Sequence, residues 1–172
     1  LLRSLAIVMM IVYHAAFDLA YFYQWEIDVH TGVWWIIGRS TAALFLILVG
    51  ISWSIASSNK NSQQIWKRSM RRGGMVLGIG YLITIVTYLM DPNTYIRFGI
   101  LHCISISMML LPLFKPLKHW AAVFGLLLIQ LGIFAHQTPV DHPWFLPLGM
   151  MPSSFTTLDY YPLLPWFGFV MI

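Results

Sequence analysis

The sequence predicts an all-α fold, a bundle of transmembrane helices, from three observations. The 172 residues are 59% hydrophobic and only 9% charged, whereas about a quarter of the residues in soluble domains are charged. The apolar residues form about six long runs with short polar segments between them. The charges in those segments are sorted by sign. We therefore expect one polytopic bundle over residues 1–172, a single domain that is cut at both ends and belongs to a longer bundle.

The apolar runs predict the spans in order along the chain. We place them at residues 2–23, 33–57, 73–90, 97–114, 119–135 and 161–172. About 20 apolar residues cross a bilayer as a helix, so the last run is incomplete. In the third span, Gly74 and Gly78 form a small-xxx-small pair that predicts close helix packing. The segment 136–161 is too polar and too rich in proline to span, and either a re-entrant lid or a plain loop fits it.

The charges predict the orientation of the bundle. If the spans alternate, eight of the ten basic residues face one side: Arg3, Lys60, Lys67, Arg68, Arg71, Arg72, Lys115 and Lys118. All six acidic residues then face the other: Asp18, Glu26, Asp28, Asp91, Asp141 and Asp159. Basic loops are retained in the cytoplasm, so we expect the basic side there. The basic residues are not interleaved with aromatic residues, so we expect no nucleic-acid partner.

His14 is the first candidate for chemistry. It lies within a run of apolar residues, with Asp18 four positions later and Arg3 eleven positions earlier. At about 100° per residue, all three point to the same side of one helix. Ionisable groups within a membrane are costly and usually functional. An aspartate beside a histidine can fix its tautomer and raise its basicity, so Asp18 is a candidate orienting group for His14.

Other ionisable groups fall at the same outer level of the predicted bundle. The full set is His14, Asp18, His30, Arg39, Arg97, His102 and Asp159. Their convergence at one depth predicts a site. The alternative is structural: Asp18 and Asp159 would neutralise Arg39 and Arg97 as clamps between helices, and His102 would be a packing residue. No metal is expected, because there is no H-E-x-x-H motif and only one cysteine, Cys103.

Four segments of the chain resemble the membrane domain of the heparan-α-glucosaminide N-acetyltransferase family and its bacterial relatives. They are "LRSLAIVMMIVYHAAFDLAYF", "GRSTAALFLILVGIS", "YIRFGILHCIS" and "LDYYPLLPWFG", which together cover over a third of the chain in the family's order. The spacing of Arg3 and His14 also resembles a first-helix motif of the broader membrane acyltransferases that acylate surface glycans.

The resemblance implies a bacterial inner-membrane enzyme that transfers acetyl from cytoplasmic acetyl-CoA to an extracytoplasmic sugar amine or hydroxyl. It offers two catalytic histidines. The family's active-site histidine lies in an outer loop ahead of the "FxxxxG" helix, which matches His30 with a gap of one residue. The broader acyltransferase motif matches His14, which the helix geometry also favours. The expected partners are membrane lipids and a sugar or glycan acceptor, and a homodimer is left open.

The expected mechanism is acyl transfer, in which His14 or His30 acts as general base or carries the acetyl group. The expected substrate-binding residues are Arg39, Arg97, His102 and Asp159. The residues expected to contact the CoA phosphates are Lys67, Arg68, Arg71 and Arg72. Alternatively, these four residues only set the membrane topology and contact lipid headgroups. Two competing functions are a proton-coupled transporter with a His/Asp/Arg relay and a non-catalytic subunit of a membrane assembly.

Overall fold

The computed structural model describes residues 1–152 and 154–172, and within them the prediction of an all-helical protein is confirmed. Six α-helices follow one another along the chain: α1 (Leu2–Tyr23), α2 (Gly32–Ser57), α3 (Ser62–Met90), α4 (Ile100–Phe114), α5 (Trp120–His136) and α6 (Leu163–Met171). Two short 3-10 helices, Lys115–Leu117 and Pro143–Leu148, lie between them. By length and composition, four segments can cross a membrane: α1, α2, α3 and Ile100–Leu117. The apolar helix α5 is shorter, with 17 residues.

The largest difference from the predicted spans is the start of α3. We expected a basic loop up to residue 72, but α3 begins at Ser62 and carries Lys67, Arg68, Arg71 and Arg72 on its first three turns. The side chain of Asn61 accepts a hydrogen bond from the Gln64 backbone N–H at 2.9 Å, which caps the helix. Lysine, arginine and glutamine are good helix formers, so this polar stretch is helical without being apolar.

The chain forms two compact units, residues Leu1–Leu48 and Val49–Ile172. Unit 1 contains α1 and most of α2. There α1 and α2 approach closely at Gly38, where a Cβ would lie 2.7 Å from the ring of Tyr13. Unit 2 contains the end of α2 and helices α3 to α6. In it α5 and α6 touch at Gly125 and Gly168, where a Cβ on Gly168 would lie 2.5 Å from the Gly125 carbonyl oxygen.

The glycines that hold α3 against α4 are not the predicted pair. A Cβ at Gly73 would lie 2.7 Å from Met109 Cγ and 2.8 Å from the Ser105 carbonyl oxygen. A Cβ at Gly80 would lie 3.3 Å from the His102 ring. Gly78 faces open space instead. The close approach of α3 to α4 is therefore at Gly73 and Gly80. Of the predicted pair, only Gly74 comes within ordinary contact of α4, since a Cβ there would lie 3.8 Å from Met109 Cε.

The loop between α3 and α4 pairs through its backbone with the segment that precedes α6. The segments around residues 94–98 and 157–161 run side by side, with a parallel bridge between Phe98 and Tyr160. The Leu158 N–H donates to the Thr94 carbonyl at 2.9 Å, and the Tyr161 N–H donates to the Phe98 carbonyl at 3.0 Å. This pairing brings Asp159 to the start of α4.

Candidate functional site

The imidazole of His14 is oriented by the main chain of its own helix. Its Nδ1 lies 2.9 Å from the carbonyl oxygen of Met10, one turn earlier in α1. A carbonyl oxygen can only accept a hydrogen bond, so Nδ1 carries the proton and Nε2 of the neutral ring has the free lone pair. The His14 side chain is exposed in unit 1. This geometry gives His14 a basic nitrogen that is directed away from the helix backbone.

Asp18 lies one turn after His14 on α1 and is also exposed. We expected its carboxylate to orient the His14 ring. In this structure the Nδ1 of His14 is engaged by Met10 instead. A role for Asp18 in the chemistry stays a prediction.

His30, the second candidate base, lies in the turn that leads into α2. The carboxylate of Asp28 organises this turn, because it accepts the Thr31 hydroxyl at 2.7 Å and the His30 backbone N–H at 2.9 Å. The hydrogen bond from Thr31, followed by that from His30, holds the pKa of Asp28 below its ordinary value. The turn therefore fixes the backbone of His30, while its side chain is exposed.

Arg39, the remaining candidate in unit 1, lies on α2 about two turns from its start. Its guanidinium lies over the ring of Trp35, 5.7 Å from the ring centroid. This is the distance at which a cation is attracted by an aromatic face. Unit 1 thus contains His14, Asp18, His30 and Arg39 as separate features of α1, the connecting turn and α2.

Arg97 lies between two aromatic rings in unit 2. Its guanidinium carbon is 4.9 Å from the centroid of Tyr95 and 5.1 Å from that of Phe155. Its Nε is buried without a hydrogen-bond partner in the described part of the chain. Two aromatic faces hold the guanidinium, and its Nε–H group is left unsatisfied among the described residues. Phe155 was not expected from the sequence, because it is distant from Arg97 along the chain.

Asp159 and His102 satisfy the first backbone donors of α4. The Oδ2 of Asp159 accepts the Ile100 N–H at 2.9 Å, which also places a negative charge at the positive end of the helix. The Nδ1 of His102 accepts the Gly99 N–H at 3.3 Å. Asp159, Arg97 and His102 are thus brought to the start of one helix.

The ring of His102 is buried and engaged at both nitrogens. The Gly99 N–H group can only donate, so Nδ1 of His102 accepts this hydrogen bond and Nε2 carries the ring proton. Nε2 then donates to the hydroxyl oxygen of Thr84 over 3.4 Å. The ring also lies against Tyr81 and Phe98. These contacts agree with the packing alternative for His102. Its predicted place among the substrate-binding residues remains a prediction.

The four basic residues expected to bind CoA lie on α3 rather than in a loop. Lys67, Arg71 and Arg72 are exposed, and Arg68 is half-buried. Ser69 on the same turns is buried and accepts a hydrogen bond from the Trp53 indole N–H at 2.8 Å. That bond fixes the start of α3 against the end of α2.

A cavity of about 550 Å³ lies at this basic end of unit 2. The end of α2, the end of α4, the start of α5 and the end of α6 surround it. Its polar lining includes Ser54, Ser58, Lys115, Lys118 and His119. From the sequence we expect the two lysines only to set the membrane topology, and His119 is not among the expected site residues. No sequence pattern links these residues, and the basic character of Lys115, Lys118 and His119 was the one signal in the sequence that could have indicated a site.

The described residues contain no candidate metal site. Within residues 1–152 and 154–172, no cluster of three or more histidine, cysteine, aspartate or glutamate side chains is arranged to hold a metal ion. The expectation of a metal-free reaction stays a prediction.

Comparison with known proteins decides the family. The family model described as heparan-alpha-glucosaminide N-acetyltransferase, catalytic, matches residues 1–172, the whole chain. The chain belongs to this family. No curated protein and no solved structure matches it. Together with four helices of membrane-spanning length, membership in this acetyltransferase family makes the chain an integral membrane protein.

Proposed function

We propose that this protein is an acetyltransferase that moves an acetyl group from cytoplasmic acetyl-CoA to a sugar amine or hydroxyl on the other side of the membrane. The observation that carries the proposal is the match of the family model to the whole chain. The membrane is the bacterial inner membrane, with Lys60, Lys115 and the basic start of α3 on the cytoplasmic side. Lipids and a glycan acceptor are the partners, and a homodimer is a further proposal.

In this mechanism the acceptor attacks the carbonyl carbon of the acetyl thioester. Nε2 of His14 takes the proton from the attacking amine or hydroxyl, because Nδ1 is already protonated and bound to Met10. The new C–N or C–O bond forms as the C–S bond breaks. The proton then passes to the CoA sulfur, so the products are the acetylated sugar and CoA with a free thiol.

A two-step route uses the same nitrogen as a nucleophile. Nε2 of His14 would attack the thioester and release CoA, and the acceptor would then take the acetyl group from the imidazole. His30 is the alternative catalytic residue for either route. Asp18 would stabilise the charged imidazole, and Arg39 would stabilise the negative charge that develops on the carbonyl oxygen.

Arg97 is the proposed acceptor-binding residue of unit 2. Its buried Nε has no hydrogen-bond partner among the described residues, and the rings of Tyr95 and Phe155 hold its plane. A guanidinium in a fixed orientation suits the hydroxyl groups or carboxylate of a sugar. Asp159 and His102 would act as positioning residues, since they hold the start of α4.

The test is acetyl transfer by the purified chain in lipid nanodiscs. Labelled acetyl-CoA is supplied with a panel of amino sugars and lipid-linked glycans, and both the acetylated product and free thiol are measured. Stoichiometric appearance of the two supports the proposal. If the protein shows neither turnover nor binding of acetyl-CoA but takes up a solute with protons into vesicles, it is a transporter and the proposal fails.

A further inference from the structure

The cavity at the basic end of unit 2 is lined by buried apolar residues, by exposed polar residues and by the exposed apolar residues Ile51, Ile55 and Ile172. Its apolar lining includes the buried side chains of Leu111 and Val170 and the half-buried ring of Phe114. Gly50 of α2 also lines it, at a point where α6 approaches so closely that a side chain would collide with the Val170 carbonyl. Its volume of about 550 Å³ lies within the range of about 300–1,000 Å³ for ligand pockets.

Three basic side chains of the lining, Lys115, Lys118 and His119, are exposed, and we call this exposed part of the lining the mouth of the cavity. Lys115 Nζ donates to the carbonyl oxygen of Ser57, at the end of α2, over 3.1 Å. This bond positions the ammonium group and leaves two of its three N–H donors for a ligand. Hydroxyl groups of Ser54 and Ser58 also line the cavity, and its described lining contains no acidic side chain.

Lys118 has a backbone conformation that a lysine rarely adopts. Its φ is 49° and its ψ is −123°, close to the first central position of a type II′ turn, where glycine is strongly preferred. A strained backbone at a ligand site commonly indicates a functional side chain. Position 118 therefore has a cationic side chain at the mouth of the cavity, although a glycine would fit its backbone conformation better.

We propose that this cavity binds the phosphate-bearing end of the acyl-CoA donor. Lys115, Lys118 and His119 contact the phosphates, and the apolar wall beside Phe114 packs against the less polar part of the molecule. This inference rests on the proposed function and specifies where its donor binds. It differs from the assignment of the CoA phosphates to the exposed basic residues of α3, none of which lines the cavity in the described structure.

Paired variants test the site through direct binding of CoA. Lys118→Gly removes the ammonium group and suits the backbone, so we expect the thermal midpoint to be kept or raised. Lys115→Gln removes the second charge and retains an N–H donor. Each variant should raise the Kd of CoA about tenfold, since hydrogen bonds to charged groups contribute strongly to binding. Lys60→Gln, which removes one positive charge at the same end outside the cavity, should leave the Kd unchanged.

The binding assay uses the full chain in nanodiscs with CoA and with adenosine 3′,5′-bisphosphate, and acetyl transfer is measured in parallel. A higher KM for acetyl-CoA with an unchanged kcat in Lys118→Gly supports the inference. Unchanged CoA affinity in both cavity variants overturns it, and so does a loss of affinity only in Arg71→Gln and Arg72→Gln. In that case acetyl transfer by the wild type would leave the proposed function standing.

Two more outcomes separate this inference from its alternatives. If the wild type transfers no acetyl group but binds CoA in a manner that depends on Lys118, the proposed function fails and the phosphate site stands. Vesicles of phosphatidylglycerol test a lipid headgroup as the ligand. A fluorescent anionic lipid is bound to the protein, and the vesicles are added to displace it. If this displacement depends on Lys118 while CoA does not bind, the cavity holds a lipid and the inference is overturned.

Discussion

Nδ1 of His14 lies 2.9 Å from the carbonyl oxygen of Met10, so the main chain of α1 sets the tautomer of this histidine. The contact is local, four residues apart on one helix, and needs no other part of the protein. It leaves Nε2 as the basic nitrogen. The proposed general base of α1 is thereby oriented by the main chain rather than by a carboxylate.

The tautomer of His14 can be measured directly. We expect nitrogen NMR of histidine-labelled protein at a pH where the ring is neutral to show a protonated Nδ1 and an unprotonated Nε2. The His14→Ala variant assigns the resonance. Protonation at Nε2 in the wild type would contradict the predicted role of Met10.

Replacing His14 should remove catalysis with little effect on binding. We expect His14→Ala to lower kcat for acetyl transfer by about 10²- to 10⁴-fold, the usual contribution of a general base, with CoA affinity retained. His136→Ala, at the exposed end of α5, is the matched control and should have full activity. If His30→Ala loses activity and His14→Ala does not, the catalytic residue is His30.

The glycine face of α3 predicts opposite effects for two alanine substitutions. Gly73→Ala would crowd Met109 and the Ser105 backbone, so we expect a loss of about 1–3 kcal/mol in the free energy of unfolding. Gly78→Ala faces open space and should gain up to about 1 kcal/mol from helix propensity. Thermal unfolding in one detergent measures both. A destabilising Gly78→Ala would restore the predicted pair of Gly74 and Gly78.

Asp159 should stabilise the start of α4 by charge and by hydrogen bonding. Asp159→Ala removes both, and we expect a loss of about 1–3 kcal/mol, the scale of a hydrogen bond to a charged group. Asp159→Asn keeps an oxygen that can accept from Ile100 and should lose less. Asp141→Asn, in an exposed loop position, is the control. Equal midpoints for all three variants and the wild type would show that Asp159 does not support the helix.

Tyr160 should make the protein less stable at alkaline pH. Its hydroxyl donates to the Leu146 carbonyl at 2.7 Å, and burial raises its pKa above the ordinary value. In the folded state the Tyr160 hydroxyl therefore keeps its proton at a pH where the same hydroxyl of the unfolded chain has begun to lose it. Stability from this group is complete below about pH 10, the ordinary pKa of a tyrosine, and falls as pH rises above it. Thermal midpoints between about pH 8 and 11 should decline less steeply in Tyr160→Phe, and identical slopes would refute the assignment.

Hydropathy was sufficient to predict the helices because a backbone in lipid must satisfy its own hydrogen bonds, which leaves a helix for each apolar run. It was insufficient at the start of α3, where residues 62–72 are polar yet helical. There, hydropathy reports the solvent around a segment and not its backbone conformation. The predicted span from residue 73 therefore missed the first turns of α3.

Residue type alone identified the groups capable of chemistry. His14 and Arg97 stand out because ionisable side chains in apolar runs are costly, and the quoted segments were enough to indicate the family. The sequence did not reveal Met10 as the partner of His14, since every residue has a carbonyl group. It also did not reveal Phe155 as a neighbour of Arg97, because that contact depends on the pairing of two distant loops.

Composition, charge order and short motifs thus determined the helical class, the six α-helices of the described residues and the family, all of which depend on local solvation and local residue identity. The tertiary structure alone decided that Gly73 and Gly80 meet α4, and that Ser54, Lys115 and His119 line one cavity. These residues are distant along the chain. Their proximity depends on how the ends of α2, α4, α5 and α6 pack, and the spacing of residues within any one helix carries no record of that packing.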